Sequence, residues 1–201
     1  MHQLLHRFTP LGWSFIGFGL LLLALSAAAP WVNAPLQFSS ALIEQGQWWR
    51  LYTAHFVHLN LHHGLMNVLG FWACCYFFHD VYRWPHFLVW LLVGPWVVGL
   101  AMWWLDASIP HYVGLSGLLY GWLMLAIVAG FFTQPLLHAL GFVVLAGRLV
   151  WEQTPNYNVD YLLNSIGGVV YVNAHLYGGL FGLILGVIML SFAHQRRKGL
   201  S

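Results

Sequence analysis

Several windows of this 201-residue chain are long enough to cross a bilayer, which takes roughly 20 mostly apolar residues, and they contain no charged side chain. No other feature restricts the fold as strongly. A spanning segment in lipid must satisfy its backbone hydrogen bonds internally, so such windows are read as helices. The rest of the chain agrees: 60% of it is hydrophobic, 6% is charged and the mean hydropathy is +0.72, far from the composition of soluble domains. The expected fold is an all-α polytopic membrane protein. A formal net charge of +2, scattered along the chain, gives no footprint for nucleic acid. Cys74 and Cys75 are adjacent inside an apolar run, a spacing that excludes an ordinary disulfide between them and supplies only half of a thiolate metal site.

Six spans are predicted, at about 11–29, 63–79, 87–105, 115–132, 136–151 and 173–193, within one membrane domain covering 1–201. His6 and Arg7, the apolar run from Leu11 and the small residues Ala27 to Ala29 imitate a secretory signal. The run is long enough to span, and we read it as a retained first helix. The connection from Pro30 to Asn60 carries Trp31, Trp48, Trp49 and Tyr52, residues that settle at membrane interfaces. The short turn Thr133-Gln134-Pro135 makes the fourth and fifth spans antiparallel neighbours. With six spans and both ends inside, Arg7, Arg83, Arg196, Arg197 and Lys198 fall on the cytoplasmic side. Glu44, Asp106, Glu152 and Asp160 then fall outside. Basic residues favour the cytoplasm, so an N-in/C-in topology is expected, with the segments ending at His63, Ser116 and His175 on the outer, periplasmic side.

Polar groups in a membrane are costly, and three segments hold them. In 54–67, His63 and Asn67 stand four apart and project from one helix face. In Gly114-Leu115-Ser116-Gly117-Leu118-Leu119-Tyr120-Gly121, Ser116 occupies the first turn of a span, where free N–H groups and the helix dipole favour an oxyanion. Gly117 and Gly121 offer a small-residue face for close helix approach. In the third segment, His175 lies above a stripe of Gly178 or Gly179, Gly182 and Gly186. If the two glycine faces meet, Ser116 meets His175 and Tyr120 packs on the imidazole. That set holds a hydroxyl nucleophile, an imidazole base and oxyanion donors, the parts of an acyl-transfer site. No carboxylate is tied to His175 by the sequence. Asp106 and Asp160 lie on the right side, while Arg148 and Glu152, four apart, are expected to pair with each other. The expectation is a Ser116/His175 dyad.

These residues resemble the rhomboid family of intramembrane serine proteases. Gly114-Leu115-Ser116-Gly117 with Tyr120 is similar to the family's nucleophile motif, Ala174-His175 with Gly178 and Gly182 to its base motif, and His63 with Asn67 to its oxyanion motif. The resemblance implies that His63 and Asn67 assist the Ser116 N–H and that Tyr120 stacks on the base. Trp49-Arg50, thirteen residues before His63, and His58, five before it, also stand where rhomboids carry them. The similarity runs from about Trp48 to Gly186. Within the family, the His55–Asn60 stretch and Trp151-Glu152-Gln153 look most like the rhombosortases, which implies removal of C-terminal Gly-Gly-type anchors from exported proteins. The implied partners are transmembrane substrates and the bilayer, and no cofactor or metal is implied.

Other readings compete. Ser116 alone, Asn67 alone or His175 alone suits helix packing, and Tyr120 suits a core. A rhomboid-like binder that does not cut would need neither Ser116 nor His175. His55, His58, His62 and His63 invite a metal-dependent enzyme or transporter, since His58 and His62 are spaced to share a helical face, but no His-Glu-x-x-His occurs. The remaining histidines, His2, His6, His79, His86, His111, His138 and His194, read as interface residues. The segment from Gln153 to Val172 reads as a lid over the site.

Overall fold

The computed structural model describes residues 9–106 and 109–198, with side chains described to 192 except at 160–162. His2, His6 and Arg7 lie outside the described residues, as do the side chains of Asp160, His194, Arg196, Arg197 and Lys198. In chain order the elements are α1 (Pro10–Ala27), α2 (Ala29–Leu36), β1 (Phe38–Ser39), α3 (Ser40–Glu44), α4 (Arg50–Thr53), a 3-10 turn (Ala54–Phe56), α5 (Leu61–Phe77), α6 (Trp84–Leu105), β2 (His111–Tyr112), α7 (Ser116–Ala129), α8 (Pro135–Glu152), α9 (Asp160–Ile166) and α10 (Val172–Lys198).

Helix starts follow local chemistry. Thr9 accepts the Gly12 N–H and Pro10 opens α1, and Asn60 accepts the His63 N–H at 2.8 Å to cap α5. All six predicted helices are present, displaced by a few residues at their ends. Four of them, Pro10–Ala27, Trp84–Leu105, Pro135–Glu152 and Val172–Phe192, are long and apolar enough to cross a membrane. The other two are shorter: α5 has 17 residues and α7 has 14. At 1.5 Å per residue α7 is about 21 Å long, well under the hydrocarbon thickness of about 30 Å.

The core is an aromatic stack around α7. Tyr82 and Trp122 lie face to face, 3.8 Å apart at 3°, and Trp90 and Phe71 stack beside them at 5.7 Å. Two of these rings also donate to carbonyls of α7: Trp90 Nε1 to Leu118 at 2.8 Å and the Tyr82 hydroxyl to Trp122 at 3.0 Å. Buried indole and phenol groups need such acceptors. Here they anchor the helix that carries the serine. Leu136, Val143, Val144 and Val150 on α8 face outward, as lipid-facing side chains would.

The long connection is an ordered layer. Arg50 is buried and donates to the carbonyls of Ala34 and Gln37 and to Gln47 Oε1 at 2.8–2.9 Å, so its charge is spent on closing the loop. Trp31, Trp48 and Trp49 are exposed, as the interfacial expectation requires. β1 pairs antiparallel with β2, Phe38 opposite Tyr112 and Ser39 opposite His111, which ties this layer to the strand leading into α7. His138 departs from the interface expectation. It is buried under Gly130, with Nδ1 2.8 Å from the Ile127 carbonyl.

Candidate active site

α7 and α10 form the most extensive helix pair in the structure, and glycine is the reason. A Cβ at Gly178 would lie 1.8 Å from the Gly117 carbonyl oxygen, and one at Gly182 would lie 2.1 Å from that of Gly121. Only hydrogen fits at either place, so the backbones touch. The first turns of the two helices are thereby brought level. His175 Nε2 lies 2.9 Å from Ser116 Oγ, and the Tyr120 ring stacks on the imidazole at 4.3 Å and 6°.

The other edge of the imidazole meets a group that sequence reasoning missed. Glu152 Oε2 is 2.8 Å from His175 Nδ1, and the Glu152 side chain is fully buried. The pair expected between Arg148 and Glu152 is present at 2.8 Å, but the carboxylate serves more than Arg148. Its Oε1 also accepts from the Tyr120 hydroxyl at 2.8 Å and, at 3.5 Å, from that of Tyr157. The expectation of a base without a carboxylate partner is therefore corrected. The i,i+4 match of Arg148 and Glu152 explained both charges locally and hid the longer-range contact. A usable signal was present, since an acid at the end of an apolar helix calls for every neighbouring donor and not just one. Asp106, an acid expected on the same side, instead accepts from Asn173 at 2.7 Å and from the Tyr177 hydroxyl at 2.9 Å. It fastens the start of α10 and does not touch the imidazole.

Facing a carboxylate that only accepts, Nδ1 of His175 carries the proton. Nε2 then presents its lone pair to the Ser116 hydroxyl, the arrangement a general base needs.

The segment before Ser116 is held from three sides. Gly114 has φ +132°, a conformation that L side chains rarely adopt, and a Cβ there would meet the His63 ring at 3.0 Å. The Tyr112 hydroxyl donates to the Gly114 carbonyl at 2.6 Å, and the Gly114 N–H donates to Ala54. His58 Nε2 accepts the Leu115 N–H at 3.4 Å while Nδ1 lies 3.0 Å from Ser26 Oγ. Ser26 gives its own proton to the Leu22 carbonyl, so a single tautomer, protonated at Nδ1, satisfies every partner. Burial, with His63 adjacent, pushes the His58 imidazole down to about 3, which keeps Nε2 available as an acceptor. His58 is thus a backbone tether. It also precedes α5 and shares no helical face with His62, contrary to the metal-site spacing, and both its nitrogens are occupied. Among the described residues no three His, Cys, Asp or Glu side chains are grouped to hold a metal.

Ser116 is the first residue of α7, so its N–H has no acceptor within the helix. His63, Asn67, Ser116, Tyr120 and His175 border a common cavity of about 220 Å³, closed on another side by Arg148, Tyr157 and Ile166. Asn67 Nδ2 donates to the His63 carbonyl at 3.1 Å, leaving its second hydrogen for the cavity. Ile166 comes from the 153–172 segment expected to act as a lid. That segment is latched to α5 by Asn60, whose Nδ2 donates to the Ser165 carbonyl at 3.2 Å.

No curated protein matches the chain. The family model described as the rhomboid domain matches residues 45–192, a span that takes in His58, His63, Asn67, Ser116, Tyr120, Glu152 and His175. The chain therefore belongs to the rhomboid family, integral membrane proteins that are generally intramembrane serine proteases.

Proposed function

We propose that this chain is an intramembrane serine endopeptidase in which Ser116 is the nucleophile and His175 its general base. The observation that carries the reading is the 2.9 Å contact between His175 Nε2 and Ser116 Oγ, made at the N-terminus of α7 and beside the cavity of about 220 Å³ that His63 and Asn67 also line. Nε2 takes the hydroxyl proton as Oγ bonds to the scissile carbonyl carbon, and the carbonyl π pair moves to oxygen. The Ser116 N–H, Asn67 and His63 receive that oxyanion. Collapse breaks the C–N bond, with the Nε2 proton passing to the leaving amine. Water, admitted through the polar cavity, repeats the sequence on the acyl-enzyme and releases the serine.

The same reading has six helices crossing the inner membrane of a bacterium, both chain ends in the cytoplasm, and the active site toward the periplasm. The short α7 suits it, because a helix of 14 residues ending near one face starts below the other, and the serine then lies inside the membrane near its outer boundary. Substrates are membrane-anchored proteins, and the rhombosortase resemblance favours C-terminal Gly-Gly-type anchors. Small residues at the cleavage point suit a cavity bounded by Met66, Ile166 and Val170.

Labelling of the detergent-purified protein with a rhodamine fluorophosphonate tests the assignment. Wild type should label, and Ser116→Ala and His175→Ala should not. Equal labelling of all three, with the helical fold intact, would remove the protease reading in favour of a rhomboid-like binder.

A further inference from the structure

A dyad needs something to hold the imidazole edge-on to the serine. In this molecule Tyr120 holds its face and Glu152 its far edge, and Glu152 also fixes Tyr120 through the hydroxyl. We propose, resting on the protease reading above, that Glu152 is a positioning residue: its carboxylate keeps His175 in the tautomer with Nε2 open to Ser116 and balances the imidazolium formed when Ser116 gives up its proton.

Three observations support this role over simple pairing with Arg148. First, the carboxylate divides its oxygens. Oε2 meets His175, whereas Oε1 collects Arg148, Tyr120 and Tyr157. If the acid served only to satisfy Arg148, nothing would require the second oxygen to lie 2.8 Å from a ring nitrogen. Second, the charges match the chemistry. A buried carboxylate beside a neutral imidazole is costly without a cation, and the Arg148 guanidinium supplies one at 2.8 Å, itself held over the rings of Trp151 and Tyr157. Glu152 and Arg148 together are neutral before reaction. The imidazolium and oxyanion that appear during reaction are neutral as a second pair, with the imidazolium facing the carboxylate and the oxyanion facing the donors. Third, no other described acid reaches the base, because both oxygens of Asp106 are committed to Asn173 and Tyr177.

The proton inventory is unchanged by the assignment. Nδ1 keeps its hydrogen throughout, Nε2 alone takes the serine proton and passes it to the leaving amine, then does the same between water and the released serine, and Glu152 never carries one. Because Glu152 ends α8 whereas Ser116 and His175 belong to α7 and α10, the base is fully set only while α8 is seated.

The test uses the full chain in detergent and the fluorophosphonate probe, with inactivation rate constant (kinact) and probe affinity (KI) measured separately. Glu152→Gln keeps the shape but must either face Nδ1 with an N–H, which forces the other tautomer, or face Arg148 and the tyrosines with it. Its kinact should fall by about 10²-fold to 10⁴-fold with KI and melting temperature little changed. In Glu152→Ala, formate should restore kinact roughly tenfold and formamide should not, because charge and not volume is what the vacated space lacks. A Glu152→Gln kinact within about threefold of wild type, or formamide acting as well as formate, overturns the proposal while leaving the dyad standing. Loss of the Ser116→Ala and His175→Ala effects would instead overturn the protease reading beneath it.

Discussion

α7 meets α10 backbone to backbone, whereas α8 meets α10 through side chains. At the first seam the obstacle to any added atom is a carbonyl oxygen: Gly117 O opposite Gly178, Gly121 O opposite Gly182 and Gly178 O opposite Gly121. At the second, Leu149 Cδ1 stands 2.6 Å from where a Gly179 Cβ would be, and a Cβ at Gly147 on the same helix would meet nothing within 4 Å. Leu145 and Leu149 join only a small cluster with Met124 and Ile127, and much of α8 faces outward. A carbonyl in a helix cannot turn aside; a leucine can. The distance from nucleophile to base is therefore set by rigid backbone, and the orientation of the base from a helix that can be displaced without moving the serine.

Gly178→Val attacks the rigid seam and should have the largest effect. The helices must separate, with overpacking of about 1–3 kcal/mol and misalignment of Ser116 from His175 costing at least about 10²-fold in labelling rate. Thermal melting and probe kinetics check both, and retained activity would show that the carbonyl contacts do not set the distance from Ser116 to His175. Next in size is Arg148→Gln, which leaves Glu152 without its cation. Labelling should slow by about tenfold to thirtyfold, or about 1.4–2 kcal/mol of barrier, and the loss should vanish in a Glu152→Gln background if Arg148 acts through the carboxylate.

Gly179→Val probes the softer seam. Leu149 must swing away or α8 must move outward, so a loss of about threefold to tenfold, near 1 kcal/mol, is expected. Leu149→Ala added to it should recover much of that loss, although Leu149→Ala alone removes buried surface. No second substitution is expected to rescue Gly178→Val, because what it strikes is main chain. A rescuable Gly178→Val or an unrescuable Gly179→Val would erase the distinction between the seams.

The same contrast separates what the sequence discloses from what it conceals. Glycines at 117, 121, 178 and 182 are spaced for one face of each helix, and a backbone seam leaves little freedom in how two such faces meet. The Ser116/His175 encounter was therefore legible, and so was Tyr120 one turn below the serine. The rotation of α8 about its axis had no comparable marker. Its apolar residues face lipid as readily as protein, and Arg148 and Glu152 satisfied each other in projection, so the contact across 23 residues to His175 could not be read. The residue His58 was marked by the family resemblance, but its contacts were concealed by a helix boundary. α5 begins at Leu61, which takes His58 off the helix and turns it back onto Leu115 and Ser26. Span number was only partly legible, because length and hydropathy mark four helices while α5 and α7 are held by the stack around Trp122 and by the glycine seam.

The smallest effect, and the finest probe of the softer side, is Tyr120→Phe. It retains the ring that lies 4.3 Å from the imidazole at 6° and removes only the hydroxyl that donates to Glu152 Oε1. Arg148 Nε still donates to that oxygen at 2.8 Å, so the carboxylate is not stranded, and the net loss should be near the ordinary value for one hydrogen bond, about 0.5–1.5 kcal/mol. Only the part that reaches the base through Glu152 appears in the rate, which predicts about a twofold to fivefold slower labelling. Tyr120→Leu removes the stacked face as well and should cost distinctly more. If Tyr120→Phe and Tyr120→Leu slow labelling equally, the hydroxyl and its carboxylate, and not the ring, are what hold the imidazole. If Tyr120→Phe is silent and Tyr120→Leu is not, the face alone matters and α8 contributes through Oε2 only.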